Sequence, residues 1–374
     1  MTVARTSAVL LAALLVLATP GCSPFGIDDP TLAEGRVLGT VDHGPVLPAS
    51  RQGYAGMGTF LTAGGGIQVF DPGTGPDDPP QLVRTIQFEA HNVNDAQIGS
   101  DGYLWVATPD ASAGGSLQVF YVLDPHTAEV HRAVEVPLEL RAVAGLTVTP
   151  GGVFFRAWRD GFSGGIGVVS RSCVSAAREC DVDLFAELGD VGVGTEILLR
   201  YREGSLYSFN TSSSRSETEF VKRYDPTTGR ELARFAKGGT SGWGQLGPTL
   251  EHVSAGVQSL FRLNATTLAA EAERTVEGFL SSVGVEGGTV YAVDYQTPVV
   301  QTFAEGDLTP LRDIDVGAAG RPLPCFGFMA PGVLMLRYDA WLNTRTGDVV
   351  TDAFPLSAQS CESLRLPEGH PLAF

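Results

Sequence analysis

Residues 102–137 read GYLWVATPDASAGGSLQVFYVLDPHTAEVHRAVEVP, and the fold class is predicted first from this segment. Two apolar runs, Tyr103 to Ala107 and Leu117 to Leu123, flank a Gly-Gly pair. An alternating run from Glu129 to Val136 follows the turn Asp124-Pro125-His126-Thr127. Short apolar runs bounded by Gly, Pro and Asp predict β-strands, so this stretch predicts three strands of a small antiparallel sheet.

The turn recurs along the chain because its chemistry is suited to joining two strands. Its Asp or Asn accepts hydrogen bonds from the backbone two residues on, Pro presets φ, and Thr resumes an extended strand. The further copies are Asp71-Pro72-Gly73-Thr74, Asp225-Pro226-Thr227-Thr228, Asn264-Ala265-Thr266-Thr267 and Asn343-Thr344-Arg345-Thr346.

The spacing of these turns predicts how many repeated units the chain contains. The first residues of successive turns are 53, 101, 39 and 79 positions apart, and two of these steps are about twice the others. Halving the long steps predicts hidden copies near residues 174 and 304, where the runs Gly165 to Ser170 and Val299 to Phe303 end. A period of about 40–50 residues with several short strands is typical of a β-propeller. The sequence therefore predicts an all-β fold, a seven-bladed β-propeller of four-stranded antiparallel blades.

The fourth unit shows the expected strand pattern of a blade most clearly. Its predicted strands are Thr195 to Tyr201, Ser205 to Phe209, Glu219 to Tyr224 and Arg230 to Phe235. The fifth unit is the least regular, because its second strand is hard to place between Gly247 and Gly256.

The N-terminus has the features of a secretory signal. Arg5 precedes an apolar core, Ala8 to Ala18, that is too short to span a bilayer, and Cys22 follows the small residue Gly21. This arrangement resembles the lipobox of bacterial lipoproteins, which implies cleavage before Cys22 and lipidation on it. We therefore expect a signal peptide at 1–21, a lipidated cysteine and tether at 22–35, and the propeller at 36–374. Ser23 favours the outer membrane of the bacterial cell envelope, and plain secretion or a periplasmic location is the alternative.

Four cysteines remain after Cys22, and an even number in an exported chain predicts disulfides. Sequence order pairs Cys173 with Cys180 and Cys325 with Cys361. The competing reading as a zinc site is disfavoured, because no histidine lies near Cys173 or Cys180.

The turns all join third and fourth strands, so we expect them on one face of the disc and uneven loops on the other. At this second face the second strand is followed by a polar residue in five units. A ring of oxygen ligands there could hold Ca²⁺ or provide a general base, whereas the structural alternative is that Asp and Asn start turns. The residues are Asp110, Asp160, Asn210, Asp294 and Asp339.

A candidate binding site lies on the same loops. Trp158, Arg159 and Asp160 combine an aromatic ring, a planar cation and a carboxylate, which suits a carbohydrate or peptide, and Trp243 lies in the Gly-rich loop 238–247. The alternative for Arg159 and Asp160 is an internal ion pair. Loops of variable length on a rigid scaffold commonly carry binding sites.

The net negative charge of the chain disfavours anionic partners. The chain without its signal has 24 Lys and Arg against 42 Asp and Glu, a net charge of −18. Such a surface repels nucleic acid and anionic headgroups, so membrane contact is expected only through the lipid anchor.

The repeats Leu123 to Thr127 and Tyr224 to Gly229 resemble those of bacterial YVTN-type and quinoprotein-like β-propellers. The naming tetrapeptide is replaced by Leu104-Trp105-Val106-Ala107, and the adjacent-cysteine pair of quinone-dependent dehydrogenases is absent, which disfavours a quinone cofactor. The resemblance implies a platform that binds an envelope protein or glycan. The alternative is a lactonase-like hydrolase or lyase using the acidic ring, although no catalytic motif is found.

Overall fold

The strands of this protein form seven antiparallel sheets, which are numbered 1 to 7 in chain order. The computed structural model describes residues 37–42, 53–57, 65–88, 95–99, 101–110, 117–136, 141–142, 146–158, 163–170, 182–190, 197–210, 219–236, 252–254, 259–276, 278, 280–294, 297–320, 327–337 and 340–351. These residues contain 28 strands and one short 3-10 helix, Gly317–Ala319.

The first three sheets cover the N-terminal half of the described chain. Sheet 1 has the order β1-β4-β3-β2, with β1 (Val37–Asp42), β2 (Gly53–Met57), β3 (Gly65–Asp71) and β4 (Gln81–Phe88). Sheet 2 consists in order of β5 (Asp95–Ile98), β6 (Leu104–Asp110), β7 (Leu117–Leu123) and β8 (Val130–Val136). Sheet 3 contains β9 (Arg141–Ala142), β10 (Thr147–Val148), β11 (Gly152–Trp158), β12 (Ser163–Ser170) and β13 (Val182–Asp190).

The last four sheets follow in sequence, each with its strands in chain order. Sheet 4 consists of β14 (Ile197–Arg202), β15 (Ser205–Asn210), β16 (Glu219–Tyr224) and β17 (Glu231–Ala236). Sheet 5 consists of β18 (His252–Ser254), β19 (Ser259–Leu263) and β20 (Ala270–Thr275). Sheet 6 consists of β21 (Leu280–Glu286), β22 (Thr289–Asp294), β23 (Val299–Ala304) and β24 (Pro310–Asp315). Sheet 7 consists of β25 (Phe328–Ala330), β26 (Val333–Arg337), β27 (Ala340–Asn343) and β28 (Val349–Thr351).

The structure shows five four-stranded blades rather than the seven predicted from sequence. In sheet 3, β9 and β10 both pair with the same strand, β11, and residues 143–145 between them lie outside the described residues. In sheet 5 the described residues form three strands, and the part of the chain before His252 that would contain a first strand, 237–251, lies outside the description. The second strand of the fifth unit, which was hard to place from sequence, is β18, His252–Ser254.

Neighbouring sheets pack through apolar side chains that alternate along each strand. Odd-numbered residues of β6, such as Trp105 and Ala107, join a cluster with sheet 3, whereas Leu104 and Val106 join a cluster with sheet 1. Because successive side chains of a strand point to opposite faces, a strand between two neighbours is apolar on both sides. This explains the near-continuous apolar runs seen in the sequence.

Each sheet in turn packs against the next one along the chain. Apolar clusters join sheets 1 and 2, 2 and 3, 3 and 4, 4 and 5, 5 and 6, and 6 and 7. Phe70 and Leu82 of sheet 1 belong to the same cluster as sheet 7. The first sheet also meets the last one at Gly332, where an added Cβ would lie 3.0 Å from Pro76. The arrangement is that of an all-β propeller with antiparallel blades.

The recurrent turn has one backbone geometry in five sheets. The N–H of its first residue donates to the carbonyl five residues on at 2.8–3.0 Å, and its own carbonyl accepts from the N–H four residues on at 2.7–3.0 Å. The fifth residue has positive φ in every case. The five turns begin at Asp124, Asp225, Asn264, Ala304 and Asn343.

The sequence analysis predicted two further turns, one in each of the two long intervals between recognisable copies. The one near residue 304 is confirmed, since Ala304 begins a turn of this geometry between β23 and β24. The one near residue 174 lies outside the described residues, although the run before it forms β12 as expected. In the fourth unit the four predicted strands are confirmed as β14 to β17, with ends that differ by two residues or fewer.

Candidate functional site

The sheets have two ends, and the candidate site was predicted at one of them. We call the end with the turns between third and fourth strands the turn face, and the opposite end, where each second strand finishes, the loop face. Asp110, Asn210 and Asp294 are the last residues of β6, β15 and β22, and Trp158 is the last residue of β11. The structure therefore places these four backbone positions on the loop face, as predicted from topology. The remaining predicted site residues lie outside the described residues: Arg159, Asp160, Trp243 and Asp339.

Asp294 is the member of the predicted acidic ring whose side chain the structure describes. It is 1 % exposed, and its carboxylate accepts a hydrogen bond of 2.6 Å from the hydroxyl of Thr297. Gly278, with φ of +87°, lies so close to this carboxylate that any side chain there would collide with it. Asp294 is therefore turned back into its own loop, which matches the structural alternative for this position.

A metal site was the second possibility for the acidic ring. Within the residues that the structure describes, no group of three or more His, Cys, Asp or Glu side chains is arranged to hold a metal ion. The side chains of Asp110 and Asp160 are not among those described, so calcium at the ring stays a prediction.

On the turn face, arginine side chains reach from one sheet to the turn of the next. Arg84 of β4 donates to the carbonyl of Pro125 in the turn of sheet 2 at 3.0 Å. Arg223 of β16 donates to the carbonyl of Thr266 in sheet 5 at 2.7 Å. Arg262 of β19 donates in the same way to the carbonyl of Gly306 in sheet 6 at 2.9 Å. Charge-assisted hydrogen bonds of this kind are stronger than neutral ones, so they fix the angle between neighbouring sheets.

Tyrosines on second strands add to the same contacts. The hydroxyl of Tyr207 donates to the carbonyl of Ala265, at the turn of sheet 5, at 3.0 Å. Burial raises the pKa of Tyr207 even though Arg223 is nearby, and burial likewise raises the pKa of Tyr291 in sheet 6. Both hydroxyls therefore stay protonated donors at neutral pH.

A glutamate joins sheets 6 and 7 on this face. The carboxylate of Glu286 accepts hydrogen bonds from the backbone N–H of Gly332 at 2.5 Å and from the hydroxyl of Thr344 at 2.8 Å. One carboxylate thus satisfies two donors of the neighbouring sheet, one of them in the Asn343 turn.

The turns themselves use their side chains internally. Asp124, Asp225, Asn264 and Asn343 each accept hydrogen bonds from the N–H groups two and three residues on. In the fifth turn Asp307 instead accepts from the N–H of Thr309 at 3.0 Å. These backbone donors lower the pKa of Asp225 and of Asp307, because they stabilise the charged carboxylate. The polar groups of the turn face are thus largely committed to holding the fold.

The arginine contacts between sheets were not predicted from sequence, although a signal exists. Arg223 and Arg262 each lie two residues before the first residue of a turn, on the side of the strand that faces the next sheet. The same position holds Trp341 in sheet 7, which is 3 % exposed, and Trp105 on β6 is 2 % exposed. Both tryptophans are packing residues.

Several other predicted features fall outside the described residues. Cys22 and the four cysteines Cys173, Cys180, Cys325 and Cys361 are among them, so lipidation and both disulfides stay predictions. No helix in the described parts of the chain is long and apolar enough to cross a membrane.

Comparison with known proteins supports the fold. No family model matches the chain, and no curated protein sequence matches it. Among solved structures, dihydro-heme d1 dehydrogenase NirN in complex with DHE has a TM-score of 0.50 and 11 % identity, covering 85 % of this chain and 78 % of that one. The β-propeller domain of Cps50 (Swd1) from Myceliophteria thermophila has a TM-score of 0.49 and 12 % identity, covering 84 % and 98 %. BamB from Moraxella catarrhalis has a TM-score of 0.41 and 11 % identity, covering 82 % and 94 %. At such low identity the likeness is one of fold, and the class of the protein is the β-propeller.

Proposed function

We propose that the protein is a seven-bladed propeller that binds an envelope protein or glycan on its loop face. In this proposal each of the seven sheets is one blade of a single ring. The succession of apolar clusters supports this count, because it passes through all seven sheets and brings Phe70 of the first beside the last.

The observation that carries the proposal is the difference between the two faces. On the turn face, Arg84, Arg223, Arg262 and Glu286 are bonded to the next sheet, and the turn side chains are bonded to their own backbone. On the loop face, second strands end in a row of polar and aromatic residues that precede segments of uneven length. Binding sites are commonly built on such variable segments above a rigid scaffold.

The chain is proposed to be anchored by a lipid on Cys22 in the bacterial outer membrane. Fourteen residues separate Cys22 from Val37, and an extended segment of this length spans about 50 Å at ~3.3 Å per residue. Val37 pairs with Phe88, the last residue of β4, at the outer edge of sheet 1. The tether thus joins the body at its periphery, which leaves the centre of the loop face open to a partner.

The binding proposal is tested by comparing one variant on each face. Tagged wild-type protein, Trp158→Ala and the turn-face control Thr227→Ala are incubated with detergent-solubilised envelope extract and, separately, with envelope glycans. Each captured species is quantified by mass spectrometry. A hot-spot tryptophan costs about 2 kcal/mol or more, so Trp158→Ala should reduce capture of the specific partner about 30-fold and Thr227→Ala should leave it unchanged.

Thermal unfolding of both variants is the control, because a folding defect would imitate lost binding. Binding that is retained in well-folded Trp158→Ala and lost in well-folded Thr227→Ala would show that the functional surface is the turn face, which would contradict the proposal. The extract and the glycans are separate arms, so the result also decides between a protein and a glycan partner.

The anchor is tested by Cys22→Ser, which removes the only thiol that can carry the lipid in the proposed scheme. The variant should move from the membrane fraction to the soluble fraction, and incorporation of an alkyne-labelled fatty acid should be lost. Membrane association that persists with the signal still cleaved would contradict the lipid anchor.

A further inference from the structure

Among the described strands, β1 of sheet 1 occupies a position that has no counterpart in the other six sheets. In every other sheet the last strand in sequence is also the outermost one, as β8, β17 and β24 show. In sheet 1 the turn that begins at Asp71 leads into β4, which is therefore the counterpart of those outer strands. Yet β1 pairs with the far side of β4 and extends the sheet by one strand.

β4 is buried in a way that outer strands elsewhere are not. Its four central residues, Val83 to Ile86, have relative exposures of 0–8 %. In β24, by contrast, Ile314 is the one buried residue among six, and in β20 five of six residues are exposed. With β1 covering its outer side, β4 lies in the interior of its sheet.

The charges of β4 support the same conclusion. Outer strands of natural sheets carry charged residues that prevent pairing with other chains, as Glu271, Glu273 and Arg274 do in β20. β4 has a single charged residue, Arg84, and its Nε donates to the carboxylate of Asp42 in β1 at 2.6 Å. The Arg84 side chain is 8 % exposed and that of Asp42 is 59 % exposed. Without β1 the outer edge of β4 is unprotected and its buried cation loses its counter-ion.

We propose that the outer edge of β4 is a strand-docking site that accepts β1 from a second copy of this chain. Within sheet 1, β1 is paired with β4 alone, so it can leave without breaking any other strand pair. A β1 strand from another copy has the same register and the same Asp42 for Arg84. Strand exchange therefore restores every hydrogen bond of the closed form, and the balance between the two forms is set by protein concentration.

Arg84 also couples this site to the neighbouring sheet. Its Nη1 donates to the carbonyl of Pro125, so the residue that recognises the docked strand also holds the turn of sheet 2. Loss of β1 from the edge of β4 would remove the Asp42 contact of Arg84 and weaken its contact with Pro125. The edge is therefore expected to be occupied both in the monomer and in the strand-exchanged dimer. The β1 strand of a second copy matches this edge in register and supplies Asp42 for Arg84, and this inference is independent of the proposed binding function.

A charge exchange between two copies tests the site. Asp42→Arg and Arg84→Asp each place like charges together within one chain, but the β1 strand of the first variant matches the β4 strand of the second. Mixing the two should give at least about tenfold more dimer by native mass spectrometry than either alone, since a charge-assisted hydrogen bond commonly contributes such a factor. The double variant Asp42→Arg/Arg84→Asp restores the match within one chain and should be as monomeric as wild type.

A second experiment keeps the native charges and does not depend on the folding of the Arg84 variant. Gly39 pairs with Gln87, so a chain with both Gly39→Cys and Gln87→Cys should form an internal cross-link between these positions. When the two substitutions are placed on separate copies, the same cross-link forms only after strand exchange. We expect a 39–87 cross-linked dimer whose yield rises with concentration, identified by peptide mass spectrometry.

The outcomes are decisive in both directions. If the single-chain variant cross-links and the mixed copies do not, even after prolonged incubation at high concentration, β1 does not exchange and the proposal is overturned. Dimers that form equally in wild-type and charge-exchanged mixtures without the 39–87 cross-link would show an interface elsewhere.

Discussion

Two turns of this protein have the same backbone and different chemistry. The turns that begin at Asp225 and at Ala304 make the same pair of backbone hydrogen bonds. In the first, Asp225 accepts from two backbone N–H groups, and Gly229 adopts a φ of 71°. In the second, Ala304 has no such side chain, Asp307 accepts from Thr309, and Leu308 adopts a φ of 58°. The fold therefore requires a backbone shape, and neighbouring residues decide which side chains provide it.

The space beside the left-handed residue explains why one turn has glycine and the other leucine. A Cβ on Gly229 would lie 2.7 Å from the carbonyl oxygen of Phe185 in sheet 3, so there is no room for a side chain. Leu308 is 0 % exposed and lies in the apolar cluster between sheets 5 and 6. Burying a leucine contributes about 1.5–3 kcal/mol, which offsets the roughly 1–2 kcal/mol cost of a left-handed non-glycine residue.

The largest expected effect comes from truncating this leucine. Leu308→Ala should lower the free energy of unfolding by about 3 kcal/mol, because it leaves a cavity and keeps the left-handed strain. Leu308→Gly should be about 1 kcal/mol less damaging, since glycine relieves that strain. Urea unfolding measures the stability of both variants. Leu311→Ala is the control, and its effect should be small because Leu311 is 55 % exposed. If the glycine variant is the less stable one, the strain argument for this turn fails.

The next effect separates crowding from backbone strain. Gly229→Ala should lower the free energy of unfolding by about 2 kcal/mol or more, because the carbonyl of Phe185 must move and the left-handed backbone is strained. Gly347, with a φ of 86°, occupies the equivalent position in sheet 7 and has open space around it. Gly347→Ala should therefore cost about 1 kcal/mol, from left-handed strain alone. Equal losses in urea unfolding would show that Phe185 does not limit the Gly229 turn.

Exchanging the first residue of a turn should give a smaller change with opposite signs. Asn264→Ala removes an acceptor that serves the N–H groups of Thr266 and Thr267 at 3.0 and 2.9 Å, and should cost about 1 kcal/mol. Ala304→Asn supplies that acceptor where it is missing, and should stabilise the protein by about 0.5–1 kcal/mol. Thermal unfolding of both variants against wild type checks the pair. A loss of stability in Ala304→Asn would mean that Asp307 already satisfies this turn.

The smallest effect is a dependence on pH. The pKa of Asp225 is lowered by the N–H groups of Thr227 and Thr228, so its carboxylate contributes stability that is complete above the unfolded pKa of about 3.9. This contribution is lost as the pH falls through the lowered folded pKa. Wild type should therefore lose more stability between pH 5 and pH 2 than Asp225→Asn, which keeps the acceptor without the charge. Parallel stability curves would contradict the assignment.

Much of the architecture was predictable because the turns act locally. The Asp or Asn cap, the Thr three residues later and the step length were enough to find the Ala304 turn, whose own letters hardly resemble the motif. The strands of the fourth unit were placed within two residues for the same reason. The count of four-stranded blades was too high, because the spacing of turns locates each unit but does not report how many strands pair in it, as the pairing of both β9 and β10 with β11 shows.

The features that were missed depend on contacts between distant residues. The partner of Asp42 is Arg84, 42 positions later, and the acceptor of Arg223 lies 43 positions later in another sheet. An arginine beside a turn looks like an ordinary surface charge when it is read alone. On the loop face the positions of Asp110, Asn210 and Asp294 were predictable from topology, whereas the bond from Thr297 that holds the Asp294 carboxylate required the structure.

The turn at Ala304 also bears on how repeated blades diverge. Asp307 is the fourth residue of this turn, the position at which other copies have threonine. It accepts the N–H two residues on, as Thr127 does at 3.2 Å and Thr228 at 3.4 Å in their own turns. This turn thus keeps the acceptor at its fourth residue and lacks the one at its first residue, while the chain path stays the same. A sequence motif built from the other copies would therefore miss this turn, whereas the interval between turns locates it.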